Sequence, residues 1–457
     1  MEPVTRNTGH LTGTIAMATS KGEEQFLSAF ERRFANGTGP SWLAKLRRSA
    51  IERFGEMGFP TTRHEDWKYT NVGPIAALDF NLTRQNGVEV ATKDLLALSF
   101  ADGAPNRLVF INGIYSAKHS LTTNLPPGMR VQNLAELLSQ NGDLVAPWLA
   151  QYAGYDDRSF VALNTAFMED GAAVFIPEGC RLEEPIHIVF ASTGAAQPVV
   201  VQPRNLIVCA EMSEVKIVES YVGLGKGVYF ANPVTEIAAA AGSIVDHYRL
   251  QREGETAFHV GTISARLERG TSFMSHQVTL GGALVRNDVQ AILAGEGAEC
   301  NLNGLYLTEG DQHIDNHTEI DHAQPRASSR ELYKGILRGH ARGVFNGKIL
   351  VRKAAQKSDA RQTNKNLMLS KDAVVNSKPQ LQIYADDVKC SHGSTIGQLD
   401  RDALFYLRCR GIGAEDARSL LSYAFAAEIL NRVKVASLRA RLDEYLLSQF
   451  GRTAARQ

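Results

Sequence analysis

The chain has 457 residues, 44% of them apolar and 21% charged, which is the make-up of a folded protein with material for more than one core. Lys plus Arg balance Asp plus Glu at 49 each, so no bulk field draws the protein to nucleic acid or an anionic membrane. The nearest thing to a membrane span, EIAAAAGSIV (236–245), is far too short to cross a bilayer.

The first residues, MEPVTRNTGHLTGTIAMATSKG, lack the basic start and apolar core of a secretory signal and read as a mobile tail over 1–22. Five scattered cysteines (180, 209, 300, 390, 409) make no disulfide framework and point to the reducing cytoplasm. A largely helical region is expected over 23–155. In EEQFLSAFERRF, Phe26, Phe30 and Phe34 fall four apart, and SWLAKLRRSAIERFGEMGF repeats the pattern with Trp42, Leu46, Ala50 and Phe54. Ser41 is the expected N-cap and Gly58 the expected stop.

From 156 to 399 the text becomes short, alternating and rich in Val, Ile and Thr. EMSEVKIVESYV, AAGSIVDHYRL, ERGTSFMSHQVTL and GEGAECNLNGLYL align at Ser213, Gly242, Gly270 and Gly297, at intervals of 29, 28 and 27. A small turn residue followed by a strand at near-constant spacing predicts a parallel β-helix, favoured over a sandwich because Asn-Gly hairpin signals are sparse. Its end edges need covering, a task for the terminal helices. The last segment, 400–457, reads as a helical subdomain. GAEDARSLLSYAFAAEILNRV places Ala417, Leu420, Leu421, Ala424, Phe425 and Ile429 on one face, with Glu415 and Asp416 at the dipole-favoured start. A further helix runs through Val435, Leu438, Leu442, Tyr445 and Phe450.

Catalytic motifs are sparse. GLGKGV (223–228) and GVFNGKIL (343–350) lack the spacing of a phosphate loop, so the chain is not expected to hydrolyse ATP or to be an enzyme. DQHIDNHTEIDH (311–322) would set His313, Asp315, His317, Glu319 and Asp321 on one strand face, a donor row suited to zinc or iron. An outward solenoid face accounts for that row better. His247 and His259 have no ligand spacing and read as structural, and Asp386-Asp387 reads as a turn or bulge. In KPQLQIYADDVKCSH the strand, if unbroken, puts Cys390 and His392 on its more polar face, two apart and pointing the same way. Thiolate and imidazole suit iron–sulfur or zinc chemistry, yet two ligands do not close a four-coordinate site. On chemistry alone a buried Cys beside a hydrogen-bonded His accounts for the pair better.

KPQLQIYADDVKCSHGSTIGQLDRDALFYLRCRGI (378–412), followed by YAFAAEIL, closely resembles the C-terminal signature of the SufB/SufD family of iron–sulfur cluster assembly proteins. The likeness extends through FNGKILVRKAAQKSDARQTNKNLMLS, LTEGDQHIDNHTEIDH, LGGALVRNDV and FVALNTAFMEDGAAVFIPEG. GFPTTRHEDWKYTNV (58–72), and CSHG where SufB carries an acidic stretch, place the likeness on the SufD branch. The resemblance implies a right-handed parallel β-helix between helical ends and a non-catalytic scaffold. It implies end-to-end pairing with SufB, an ABC-type ATPase, SufC, on the C-terminal helices, and an indirect link to the sulfur-donating desulfurase. It also leaves room for a homodimer when partners are missing and for a flavin in the complex. By the resemblance, His392 completes an interfacial iron or cluster site opposite a SufB cysteine, with Cys390 its neighbour. The ATPase docking region then takes in Leu404, Phe405, Leu407, Leu420, Tyr423 and Phe425. Cys409 receives no role. Rival readings are a polysaccharide-cleaving β-helix using the 311–322 row, a left-handed acyltransferase helix disfavoured by the near-28 repeat, and a purely stabilising subunit.

Overall fold

The computed structural model describes residues 21–34, 39–82, 89–194 and 197–453; the tail expected over 1–22 lies outside them except for Lys21 and Gly22. The chain is mainly β, a parallel solenoid of about eight turns with helices at both termini. Each coil gives one strand to each of two sheets. One sheet runs Ile244–Arg252, Ser272–Thr279, Glu299–Thr308, Ser328–Leu337, Asp359–Met368 and Lys389–Gly397. The other ends Leu284–Leu293, His313–His322, Arg342–Val351 and Val374–Ile383.

The repeat is real but shifted by one residue at its first copy. Glu214 pairs with Ile244, so Met212 rather than Ser213 stands in register with Gly242. Gly179, Met212, Gly242, Gly270, Gly297, Arg326 and Lys357 occupy one corner column, all with φ between 55° and 70°. Each turns its N–H along the solenoid axis. Met212 donates to Ala241 O at 3.0 Å, Gly242 to Arg269 O at 2.9 Å and Gly270 to Glu296 O at 3.0 Å. A left-handed corner that aims a backbone donor at the next coil explains the glycines, since only glycine enters that region without Cβ strain.

The Lys21–Phe34 and Ser41–Met57 helices pack on the Ser159–Phe167 helix through Phe26, Phe30, Phe54, Phe59 and Phe167. Phe26 meets Phe54 and Phe167 edge-on at 6.1 and 5.9 Å, the geometry aromatic quadrupoles favour. Pro40, not Ser41, occupies the N-cap and no side chain caps this helix, while Gly58 ends it at φ 62° as expected. At the other terminus, Ala417, Ile429 and Leu430 of the Ala414–Leu430 helix are buried. Leu420 and Ala424 of the expected face are exposed. Leu438, Leu442, Leu446 and Phe450 of the Ala436–Thr453 helix join Ile429 and Leu430 against Val218, Leu250, Leu305 and Leu332 on the outer face of the first sheet.

The helices therefore flank the solenoid and do not close its far end, contrary to the sequence expectation. The near end is blunted by antiparallel strands. Ile114–Tyr115 and Leu121–Thr122 pair with Asn106–Ile111, and Arg130–Asn133 pairs with Ala172–Ile176. Antiparallel pairing reverses the chain at the edge and stops further parallel addition.

Candidate functional site

At the far end, Val374–Ile383 and Lys389–Gly397 are the last strands of their sheets, and neither has an outer partner among the described residues. Their burial drops sharply: the strands beneath are mostly buried, whereas Val374, Ile383 and Ile396 are 42%, 40% and 52% exposed.

The stretch expected as one strand is two. Ile383 ends the penultimate strand, residues 384–388 form a corner, and Lys389 opens the final strand in the opposite sheet. Asp386-Asp387 is that corner, held by Asp387 N–H donating to Gln356 Oε1 at 2.9 Å. Cys390 and His392 thus stand on interior columns, not on a polar outer face. Cys390 lies in register over buried Ala360 and packs with Ala355, Ala385 and Val388. His392 lies over buried Gln362, which lies over buried Glu331. Because no coil follows, His392 is exposed and Cys390 half-buried. Burial pushes the Cys390 thiol up, so the free chain holds it protonated.

The interior beneath is polar and ordered. Gln362 Nε2 donates to Glu331 Oε2 at 2.7 Å, while Gln362 Oε1 is buried without a partner. Burial pushes the Glu331 carboxyl up to about 7. Beside this column, Ser394 donates to Ser377 at 2.8 Å and Ser377 to Asn364 Oδ1 at 2.9 Å, tying the last two strands together across the solenoid. Asn366 Nδ2 donates to the same Asn364 oxygen at 2.6 Å. Nothing in the sequence flagged Gln362 or Glu331. The alternation of DARQTNKN was the available signal, and it acquires meaning only when the register is known.

The 311–322 row faces outward but is spent on internal pairing. Asp315 is buried between Arg286 Nη1 (3.2 Å), His317 Nε2 (3.0 Å) and the Thr70 hydroxyl (2.6 Å). Burial alone would raise its carboxyl, but the charges of His317 and Arg286 hold it well below the usual carboxylate range. The Thr70 hydroxyl also meets His313 Nε2 at 2.9 Å, Glu319 bonds Lys348 Nζ at 2.9 Å, and Asp321 bonds Arg352 at 2.6 Å. Among the described residues no three His, Cys, Asp or Glu side chains gather as a metal site. His317 and Glu319 of the row line a groove of about 950 Å³ with Arg53, His64, Trp67 and Arg158, in which Asp288 and Glu319 are already neutralised by Arg286 and Lys348. A polysaccharide-cleaving site would need such carboxylates free. His247 sits between Glu219 and Ser275, and His259 against Glu253, all buried, as structural histidines do.

The docking candidates divide into two groups. The Arg401–Cys409 helix, capped by Asp400 on Asp402 N–H at 2.8 Å, buries none of its residues. Phe405 and Leu420 are 69% and 46% exposed, and Leu404 and Leu407 are partly covered. Tyr406, not singled out from the sequence, is also exposed. Tyr423 and Phe425 face the body instead: Tyr423 donates to Asp443 Oδ1 at 2.8 Å, and Lys334 Nζ sits 4.1 Å from the Phe425 ring centroid. Cys409 is exposed at the end of the same helix.

The sequence comparisons assign this flanked parallel β-solenoid to a class of assembly protein. Residues 190–425 match the SufBD core domain of the SUF iron–sulfur cluster assembly system, and residues 20–188 match the SufBD N-terminal region. The chain belongs to the SufBD family of iron–sulfur cluster assembly proteins. It is 37% identical over 422 residues to an iron–sulfur cluster assembly SufBD family protein of Synechocystis, covering 91% of this chain and 92% of that one. It is 32% identical over 426 residues to the iron–sulfur cluster assembly protein SufD of Escherichia coli, covering 93% and 96%. With SufD of Bacillus subtilis the identity is 24% over 434 residues, covering 92% and 96%.

Proposed function

We propose that this chain is the SufD-type scaffold subunit of an iron–sulfur assembly complex, itself without catalytic activity. It joins a SufB-type chain end to end and offers His392 and Cys390 to a cluster carried as cargo between the two. The open end of the solenoid carries this reading, because it combines strand edges unpaired among the described residues, exposed apolar side chains and two metal donors on one face. A partner strand added to each edge buries Ile383 and Ile396 and surrounds His392 with a second set of ligands, which supplies what two donors lack. Cys390 loses its proton when metal arrives, and its partial burial shields it from oxidation until then.

The energy source is a separate SufC-type ATPase that seats on the unburied Arg401–Cys409 helix and the neighbouring Leu420. Closure of two ATPase subunits draws the C-terminal helices together and twists the joined solenoids, favouring the state in which the ligands accept iron and sulfide. The five cysteines are free, which suits the reducing cytoplasm. Among the described residues no helix is long and apolar enough to cross a membrane.

The test is the iron and acid-labile sulfide content of the complex, co-expressed with SufB- and SufC-type partners and purified anaerobically, wild type against His392→Ala. An intact mutant complex that holds far less of both is expected. A mutant loaded like wild type reduces this chain to a stabilising subunit.

A further inference from the structure

We propose that Gln362 is a positioning residue for His392, accepting the imidazole N–H on its side-chain oxygen and holding the ring in one tautomer with the other nitrogen turned to the metal. This rests on the reading of His392 as a ligand. Three observations carry it. The parallel register sets Gln362 directly beneath His392, one coil apart on the same interior column, where successive side chains stack about 4.8 Å apart. The orientation of the amide is settled from below, because Gln362 Nε2 donates to Glu331 Oε2 at 2.7 Å. That leaves Oε1 as a buried acceptor without a donor. The amide is also clamped from the opposite sheet. A Cβ on Gly347 would lie 2.2 Å from Gln362 Nε2 and 2.7 Å from its Cδ, so that wall has a space the amide fills.

Above it, His392 is exposed and makes no hydrogen bond to any described residue, which leaves its ring free to turn down onto the waiting oxygen. A buried acceptor with no donor is costly, and an imidazole that binds metal through one nitrogen nearly always donates its other N–H to such a group. A docked partner that covers the open end removes the water competing for both.

The experiment uses the complex with a co-expressed SufB-type partner, this chain alone carrying ¹⁵N-histidine, and compares wild type, His392→Ala and Gln362→Met. Methionine keeps the length and volume of the side chain and removes the amide. Ring nitrogen shifts of His392, assigned by their loss in His392→Ala, report the tautomer. Ferrous iron titrated anaerobically reports affinity. A single tautomer in wild type, tautomer averaging in Gln362→Met and a loss of affinity of roughly 10- to 100-fold in that variant are expected. If His392→Ala weakens iron binding while Gln362→Met keeps both the wild-type spectrum and affinity, the positioning role is overturned and the ligand reading stands. If His392→Ala binds iron as wild type does, the ligand reading fails and the positioning role falls with it. Should Gln362→Met not fold, Gln362→Asn, one methylene too short to reach both neighbours, is expected to give the same averaging and loss.

Discussion

Glu331 gives the interior column a pH signature that is measurable without metal or partner. Burial raises its carboxyl from 4.5 to about 7, so the folded chain keeps this proton after the unfolded chain has released it. Between those two values the folded state binds more protons, and stability falls as pH rises by about 1.4 kcal/mol for each pH unit. The loss amounts to about 3 kcal/mol and levels off above the folded value. Glu331→Gln removes the titration while keeping an oxygen for the Gln362 amide. The variant is therefore expected to match wild type within about 1 kcal/mol near pH 5 and to exceed it by about 3 kcal/mol near pH 8.5. Urea unfolding followed by tryptophan fluorescence at both pH values measures this difference, and comparing the two chains cancels every other titrating group. A gap that does not change with pH, or a variant less stable than wild type at both, would refute the burial argument.

Further outcomes follow from the same geometry. Gly242→Val forces a β-branched residue to φ 68° with its Cβ 2.4 Å from Met212 Sδ, and is expected to cost about 1–3 kcal/mol in a melt. Met212→Gly relaxes a left-handed residue whose side chain is 60% exposed, and is expected to raise stability by about 1 kcal/mol. Leu442→Ala opens a cavity where the last helix meets the sheet and should cost about 2–5 kcal/mol, whereas exposed His392→Ala should stay within about 0.5 kcal/mol of wild type. Phe405→Glu should leave the melt unchanged yet reduce co-purification of a SufC-type ATPase by more than about tenfold, the loss of a 1.4 kcal/mol anchor.

How far the fold was legible depended on what each residue reports about itself. The phenylalanines at 26, 30, 34 and 54 announce their helices because amphipathic spacing is a local property, and all four are buried. The solenoid repeat was visible where its corner residue is glycine, at 242, 270 and 297, and invisible where Met212, Arg326 and Lys357 take the same left-handed conformation. A non-glycine at positive φ carries no mark in the text, and so the alignment slipped to Ser213. The corner at 384–388 escaped for a related reason: Leu381, Ile383 and Ala385 continue an alternation past the point where the backbone has left the strand.

The site was half legible, and the physics of a solenoid explains which half. Along an interior column each side chain is covered by the coil above it, so even a polar residue is buried until the last rung. There the coupling ends. Glu331 and Gln362 are buried polar groups because a coil lies over them, and His392 on the same column is exposed because none does. The sequence reports His392 and Cys390 as two donors too few to close a site, and the structure puts both on the last strand, with His392 exposed and Cys390 half-buried. Gln362 stayed hidden because its relation to His392 spans a whole coil, and only the register makes the two neighbours on one column. A residue whose neighbour is fixed by stacking along the axis is found by pairing the strands, and at the open end of this solenoid such a pair, Gln362 beneath His392, meets solvent.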